Sequence, residues 1–221
     1  MKLFISALIK FLIGLLLVAV LIFLPAGTVA YPGGFLFLCL LFVPMLIMGA
    51  VMMICARDLL AKRLDAKEKQ AAQKGVQSLS GLVFIAGFVL AGLDFRFAWS
   101  EVPLPVTVAA SAVFLVGYGL YAEVMRENAY LSRTVKVEEG QTVVSTGLYG
   151  IVRHPMYLAS ILMFLAIPLV MGSWYALIPF ALYPALMVVR ILDEEKLLSA
   201  ELAGYEEYKR KVRYRMIPFV W

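Results

Sequence analysis

From Met156 to Val189 the chain runs 34 residues without a charged side chain. As one α-helix, rising about 1.5 Å per residue, such a run would extend roughly 51 Å; a single bilayer crossing needs only about 20 residues. Basic residues flank both ends, Arg153 before it and Arg190 after it, and Lys and Arg gather on the cytoplasmic side of membrane spans. The run therefore returns to the side it left. Gly172-Ser173 near its middle supplies the turn, and two short helices forming a hairpin are predicted.

The rest of the chain is of the same kind. With 63% hydrophobic and 16% charged residues and a mean hydropathy of +0.90, it is far more apolar than an ordinary soluble domain. Uncharged stretches from Phe11 to Tyr31 and from Pro32 to Ala56 predict two spans joined by a tight turn at Pro32, Gly33 and Gly34. The first span can begin before Lys10, whose long stem can snorkel towards headgroups. Thr28-Val29-Ala30 could pass for a signal-peptide cleavage site, but the apolar stretch is longer than a usual signal core. A retained span is expected, and cleavage would not alter the orientation of the others.

The segment Arg57 to Ser78 carries six basic residues, Arg57, Lys62, Arg63, Lys67, Lys69 and Lys74, and is predicted to be a cytoplasmic loop. Val76 to Leu93 and Val102 to Ala122 give a third and a fourth span. Between them Arg96 is the single basic residue, with Asp94 and Glu101 the acidic ones. On the cytoplasmic side lie also Arg126, Arg133, Lys136 and Arg153, and seven basic residues from Arg190 onward. The expected fold is all-α: a polytopic integral membrane protein of about six transmembrane helices, the last two a helical hairpin, followed by a cytoplasmic helical C-terminal segment. Both termini are expected in the cytoplasm. Residues 1–124 form an N-terminal four-helix region, and 125–221 a core that holds the chemistry.

Several functions are disfavoured at once. Cys39 and Cys55 lie in apolar runs and behave as small hydrophobes, and one histidine builds no zinc cluster, so neither a disulfide framework nor a metal site is expected. The net charge of +5 does not point to nucleic acid, because no binding motif accompanies it; flanking basic residues have topology as their simpler cause. A small transporter would carry ionisable residues deep in several spans, and here only Lys10 qualifies.

Two polar constellations stand out at the cytoplasmic boundary. The first is 143–157, with Gly147, Tyr149, Gly150, Arg153, His154, Pro155 and Tyr157. Residue by residue, Arg153 would anchor to phosphate headgroups and the tyrosines to the interfacial belt. Together, two glycines permit close backbone approach, Pro155 opens a helix, and His154 is poised at its N-terminus; that combination suits a ligand with carboxylate and ribose groups. The second is 190–198, where Arg190 and Glu194 are four apart and share a helix face. Taken alone, such a pair is a surface ion pair of little consequence, but Arg190 stands at the edge of the hydrocarbon, where a charge is costly without a purpose. The tail Tyr205 to Arg215 mixes basic and aromatic residues and is expected on the lipid surface.

These segments resemble the isoprenylcysteine carboxyl methyltransferase family and its relatives, a group also similar to the phospholipid methyltransferases. The resemblance covers roughly Asn128 to Pro218. It rests on Gly147-Leu148-Tyr149, on Arg153-His154-Pro155-Met156-Tyr157-Leu158-Ala159, on Arg190 with Glu194-Glu195-Lys196-Leu197-Leu198, and on Tyr205, Tyr208, Lys209 to Lys211 and Pro218. Ala159 stands where the family has Gly and Leu148 where Pro is common, which would narrow the pocket slightly.

The resemblance implies an S-adenosylmethionine-dependent methyltransferase acting on the carboxylate of a lipid-like or prenylated acceptor that arrives from the bilayer. It implies that Gln141, Thr142, Val143 and Val144 offer backbone contacts to the cofactor, that Tyr149, His154, Pro155, Met156 and Tyr157 line it, and that Glu194 helps hold it. Arg190 would face the acceptor and pair with its carboxylate, so that Arg190 and Glu194 are the catalytic candidates. A phospholipid or small-molecule N- or S-methyltransferase is the alternative enzyme; a membrane scaffold is the alternative without chemistry.

Overall fold

The computed structural model describes residues 2–64, 71–131, 137 and 140–221, and for 71 and 72 only the backbone. Lys67, Lys69, Arg133 and Lys136, counted above for topology, lie outside the described residues. Among the described residues the chain is all-helical, with no strand.

Four helices are long and apolar enough to cross a membrane. They are α1 (Lys2–Ala26), α2 (Pro32–Cys55), α4 (Ala71–Phe97) and α5 (Leu104–Glu127); a short α3 (Arg57–Leu64) lies between α2 and α4. α1 and α2 leave most of their apolar surface exposed, as lipid-facing helices should. α4 runs past both predicted ends, so that Asp94 and Arg96 belong to its last turn. The predicted basic loop contains α3 instead of being loop throughout. Lys10 does not reach for headgroups; its Nζ donates to the Leu64 carbonyl at 2.6 Å, capping α3.

The last third consists of α6 (Pro155–Val170), α7 (Leu177–Phe180), α8 (Tyr183–Glu201) and α9 (Tyr205–Lys211). The chain turns at Gly172, whose φ of +82° suits a residue without a Cβ. With 16 residues, α6 is about 24 Å long, shorter than the roughly 30 Å hydrocarbon. α8 is apolar only up to Val189 and charged beyond it. Four of the expected six crossings are long spans, and the hairpin is built of shorter pieces.

The hairpin tip is clasped at the far end of the bundle. Tyr31, in the turn between α1 and α2, donates to the carbonyls of Met171 and Ala91. Asp94 is 1% exposed and accepts from the Ser100 amide at 2.7 Å, the Ser100 hydroxyl at 2.6 Å and the Ser173 hydroxyl. Trp174 adds bonds to Ser100 Oγ and the Glu101 carbonyl. Exposed Trp99 and Tyr175 pack edge to face beside it, in the manner of an interfacial belt.

α6 lies along α5, and their approach is close because Gly117 has no side chain: a Cβ there would meet Met163 and the Ala159 carbonyl. Phe37, Phe88, Phe114 and Phe180 fill the space between α2, α4, α5 and α7.

Candidate functional site

At the opposite end from the clasp, the chain after α5 folds back over the start of α6 through a single 3-10 turn, Gly147–Gly150. Gly147 takes a φ of +51°, and a Cβ on it would fall on the Glu127 carboxylate. Glu127 in turn accepts from the Leu148 amide at 3.0 Å. The glycine is needed both for the left-handed backbone and for the room it leaves the carboxylate that caps the turn. Tyr149 is thereby turned inward; its hydroxyl accepts from Asn128 Nδ2 at 3.0 Å, and burial pushes its pKa up to about 12.

The next residues are tied to the C-terminal tail. The Arg153 and His154 amides donate to the carbonyls of Tyr214 and Arg215 at 3.0 and 2.7 Å. Arg153 is 7% exposed; its Nε donates to Glu195 Oε1 at 2.7 Å and its Nη1 to the carbonyls of Val212 and Arg213. It faces inward, where the sequence reading gave it a headgroup. A guanidinium cannot be buried without partners, and Glu195 on α8 together with the tail supplies them. Glu195, 5% exposed, also accepts from Arg215 Nε at 2.8 Å and faces His154 Nε2 at 3.3 Å. Burial raises its pKa, but hydrogen bonds from His154, Arg215 and Arg153 outweigh that and hold the carboxyl well below its ordinary range. An ionised carboxylate only accepts, so His154 Nε2 faces Glu195 as a donor, while Nδ1 is turned to Glu194, 3.9 Å away.

The tail expected on the lipid surface is thus part of the fold. Tyr205 and Tyr208 are buried, and Tyr208 donates to the Tyr149 carbonyl at 2.7 Å. Glu206, Glu207, Arg210, Lys211 and Arg213 stay exposed on its outer side.

Between these parts opens a narrow cleft, some 810 Å³ of empty space when the open solvent at its mouth is counted. Gln141, Thr142, Val143, Val144, Tyr149, His154, Met156, Tyr157, Arg190 and Glu194, all singled out in the sequence, line it. Pro155 does not; it begins α6 with its ring buried. The two departures from the family pattern do not line the cleft: Ala159 packs against α5, and Leu148 against the apolar cluster of Met52, Leu59, Leu60 and Val124.

Arg190 and Glu194 share a face, as expected, and Tyr157 bridges them. Its hydroxyl donates to Glu194 Oε2 at 2.6 Å and accepts from Arg190 Nε at 3.1 Å. The face continues along α8: Arg190, Glu194, Leu198 and Leu202 all line the cleft at four-residue spacing, which is one stripe of a helix about 18 Å long. Its membrane-proximal end is charged, and its other end is apolar, completed by Val143, Tyr205 and Tyr208. Sequence reading had Leu198 and Tyr205 only as motif residues with no place in the site and missed Leu202, although extending the spacing of Arg190 and Glu194 by two more steps reaches the two leucines. It also missed Asn128, Tyr130 and Leu131, for which no such signal exists.

Fold and cleft together define a class: a multi-pass helical membrane protein with an elongated polar-to-apolar cleft at one end of its last helices. Residues 106–203 match the model of the phospholipid methyltransferase family, which belongs to the membrane methyltransferase group that includes the isoprenylcysteine carboxyl methyltransferases. The match starts inside α5, covers less than half of the chain, and overlaps the segment that carries the motif resemblance. A segment of 91 residues, 40% of the chain, is also 35% identical to the delta(14)-sterol reductase of Mus musculus, and the match spans 22% of that protein's length.

Proposed function

We propose that the protein is an S-adenosylmethionine-dependent methyltransferase that methylates the carboxylate of a lipid-like acceptor. The observation that carries this reading is the stripe on α8, charged at Arg190 and Glu194 and apolar at Leu198 and Leu202, within the segment that matches a methyltransferase family. An elongated cofactor with an amino-acid end and a flat nucleoside end fits such a gradient. The residues that would hold it are Gln141 to Val144 through their backbone, Tyr149, His154, Met156, Tyr157 and Glu194.

When bound, the cofactor supplies an electrophilic methyl group on a sulfonium. The protein's part is alignment and exclusion of water. Arg190 would orient the acceptor carboxylate by a charge-assisted bond, while Tyr157, donating to Glu194, fixes the guanidinium from below. A carboxylate is already ionised near neutral pH, so no side chain has to remove a proton. An amine acceptor would have to shed one, and Arg190 would repel its ammonium form; this favours the carboxylate over a phospholipid amine. The basic residues flanking the hairpin support a cytoplasmic cleft, with both termini on that side, so that acceptor can arrive laterally from the bilayer and cofactor from water.

Calorimetric titration of the purified protein with S-adenosylhomocysteine tests the first part, and absence of binding would falsify it. Arg190→Gln should keep that binding while methyl transfer from isotopically labelled cofactor to a membrane extract, followed by mass spectrometry, drops at least a hundredfold. A second reading, a reductase of a sterol-like lipid, has the 35% identity over 91 residues behind it. It would show as binding of a nicotinamide hydride donor in place of S-adenosylhomocysteine.

A further inference from the structure

Two tyrosines three residues apart on α9 are buried to the same degree, Tyr205 at 4% and Tyr208 at 5% exposure. Tyr208 is satisfied by the Tyr149 carbonyl. The Tyr205 hydroxyl has no hydrogen-bond partner among the described residues and no contact with solvent. A buried donor left unmade is costly, and buried polar groups are nearly always paired. Tyr205 also lines the cleft, so its missing partner can come from whatever fills the cleft.

We propose that the Tyr205 hydroxyl is a ligand-binding group, donating a hydrogen bond to a neutral acceptor atom at the nucleoside end of the cofactor. This rests on the methyltransferase reading above and assigns one end of its cofactor. Tyr205 packs in the apolar part of the cleft with Leu198, Leu202 and Val143, where a flat heterocycle is better accommodated than an amino-acid group. Burial, with Glu195 and Glu194 adding to it, raises the phenol's pKa, so it remains a donor at any physiological pH. The same carboxylates disfavour an anionic partner, which leaves a ring nitrogen or a ribose oxygen.

Tyr205→Phe in the full-length protein tests this, with Tyr208→Phe as the structural contrast. Without ligand, Tyr205→Phe should melt at or above the wild-type temperature, because it deletes an unmade bond and keeps the ring; Tyr208→Phe should melt lower. Affinity of Tyr205→Phe for S-adenosylhomocysteine should fall about tenfold, the loss of one hydrogen bond, and by the same factor for 5′-methylthioadenosine, which lacks the amino-acid end. Equal affinity of Tyr205→Phe and wild type overturns the proposal while leaving the methyltransferase reading intact. So does a lowered melting temperature without ligand, or a loss confined to S-adenosylhomocysteine. Failure of the wild type to bind either compound overturns both.

Discussion

Two acidic residues, Asp94 and Glu195, are buried at opposite ends of the same bundle and solved by different chemistry. At the far end Asp94 is surrounded by hydroxyls and an amide from Ser100 and Ser173, all neutral, and each donor is spent on closing the hairpin tip. At the other end Glu195 is met by Arg153, Arg215 and His154. The neutral clasp satisfies its own groups and leaves none over for a ligand. The ionic end concentrates charge in one place and, beside its saturated core, sets Arg190, Glu194 and Tyr205 along a cleft. The proposed function belongs to the end with the surplus of cleft-lining polar groups.

The largest effect should come from breaking the ionic end. Glu195→Ala leaves the Arg153 guanidinium buried without its counter-charge, with side chains only 6% and 7% exposed in the intact pair. Removing one partner of such a pair typically costs about 3–5 kcal/mol. A large drop in melting temperature in detergent, with loss of the tail's protection from proteolysis, is expected. The pH dependence follows from the sign of the shift. The folded-state pKa of Glu195 lies below its ordinary 4.5, so its contribution is present above about pH 4.5 and is lost as pH falls below it towards the folded value. The gap in melting temperature between wild type and Glu195→Ala should be constant near neutrality and narrow in acid below that point. A gap that persists unchanged at pH 3 would mean that packing, not charge, holds this end together.

Asp94→Ala should be milder, about 1–3 kcal/mol for donors left unmade, and should leave S-adenosylhomocysteine affinity untouched, because nothing at the far end reaches the cleft. A loss of affinity at the cleft would show that the clasp sets the position of α6 and α8, making the two ends one unit.

How much of this contrast was legible in the sequence differs between its halves. Charge asymmetry and hydropathy sufficed for the bundle and the turn at Gly172, because those are properties of runs. Of the motif residues, Tyr149, Arg153, His154, Met156, Tyr157, Arg190 and Glu194 do come together in one cleft. Less visible was which of two adjacent glutamates is buried: Glu194 and Glu195 are equivalent in composition, and only the helical phase of α8 against α6 and the tail turns one to the cleft and the other to Arg153. Arg153 was misjudged for the same reason, since its partners lie 42 and more residues away. The tail's tyrosines looked interfacial because aromatic and basic residues at a membrane edge have that reading by default; the backbone bonds from Arg153 and His154 that fold it inward leave no trace in composition.

The sharpest form of the contrast is therefore within that pair of neighbours, where the smallest change in stability is expected. The Glu194 side chain is 25% exposed, accepts from Tyr157, and is not required to neutralise Arg153 or Arg215, both of which face Glu195. Glu194→Gln keeps an acceptor for the Tyr157 hydroxyl and should alter stability by no more than about 0.5 kcal/mol. Its charge, however, faces the cleft, and a bond between a carboxylate and a cationic ligand group contributes about 1.5–3 kcal/mol, so affinity for S-adenosylhomocysteine should fall at least tenfold. Measured side by side, Glu195→Ala should lower the melting temperature steeply, and Glu194→Gln should lower affinity at an almost unchanged melting temperature. If Glu194→Gln melts as early as Glu195→Ala, the two carboxylates form one structural cluster, and the surplus of polar groups at this end no longer distinguishes it from the clasp around Asp94.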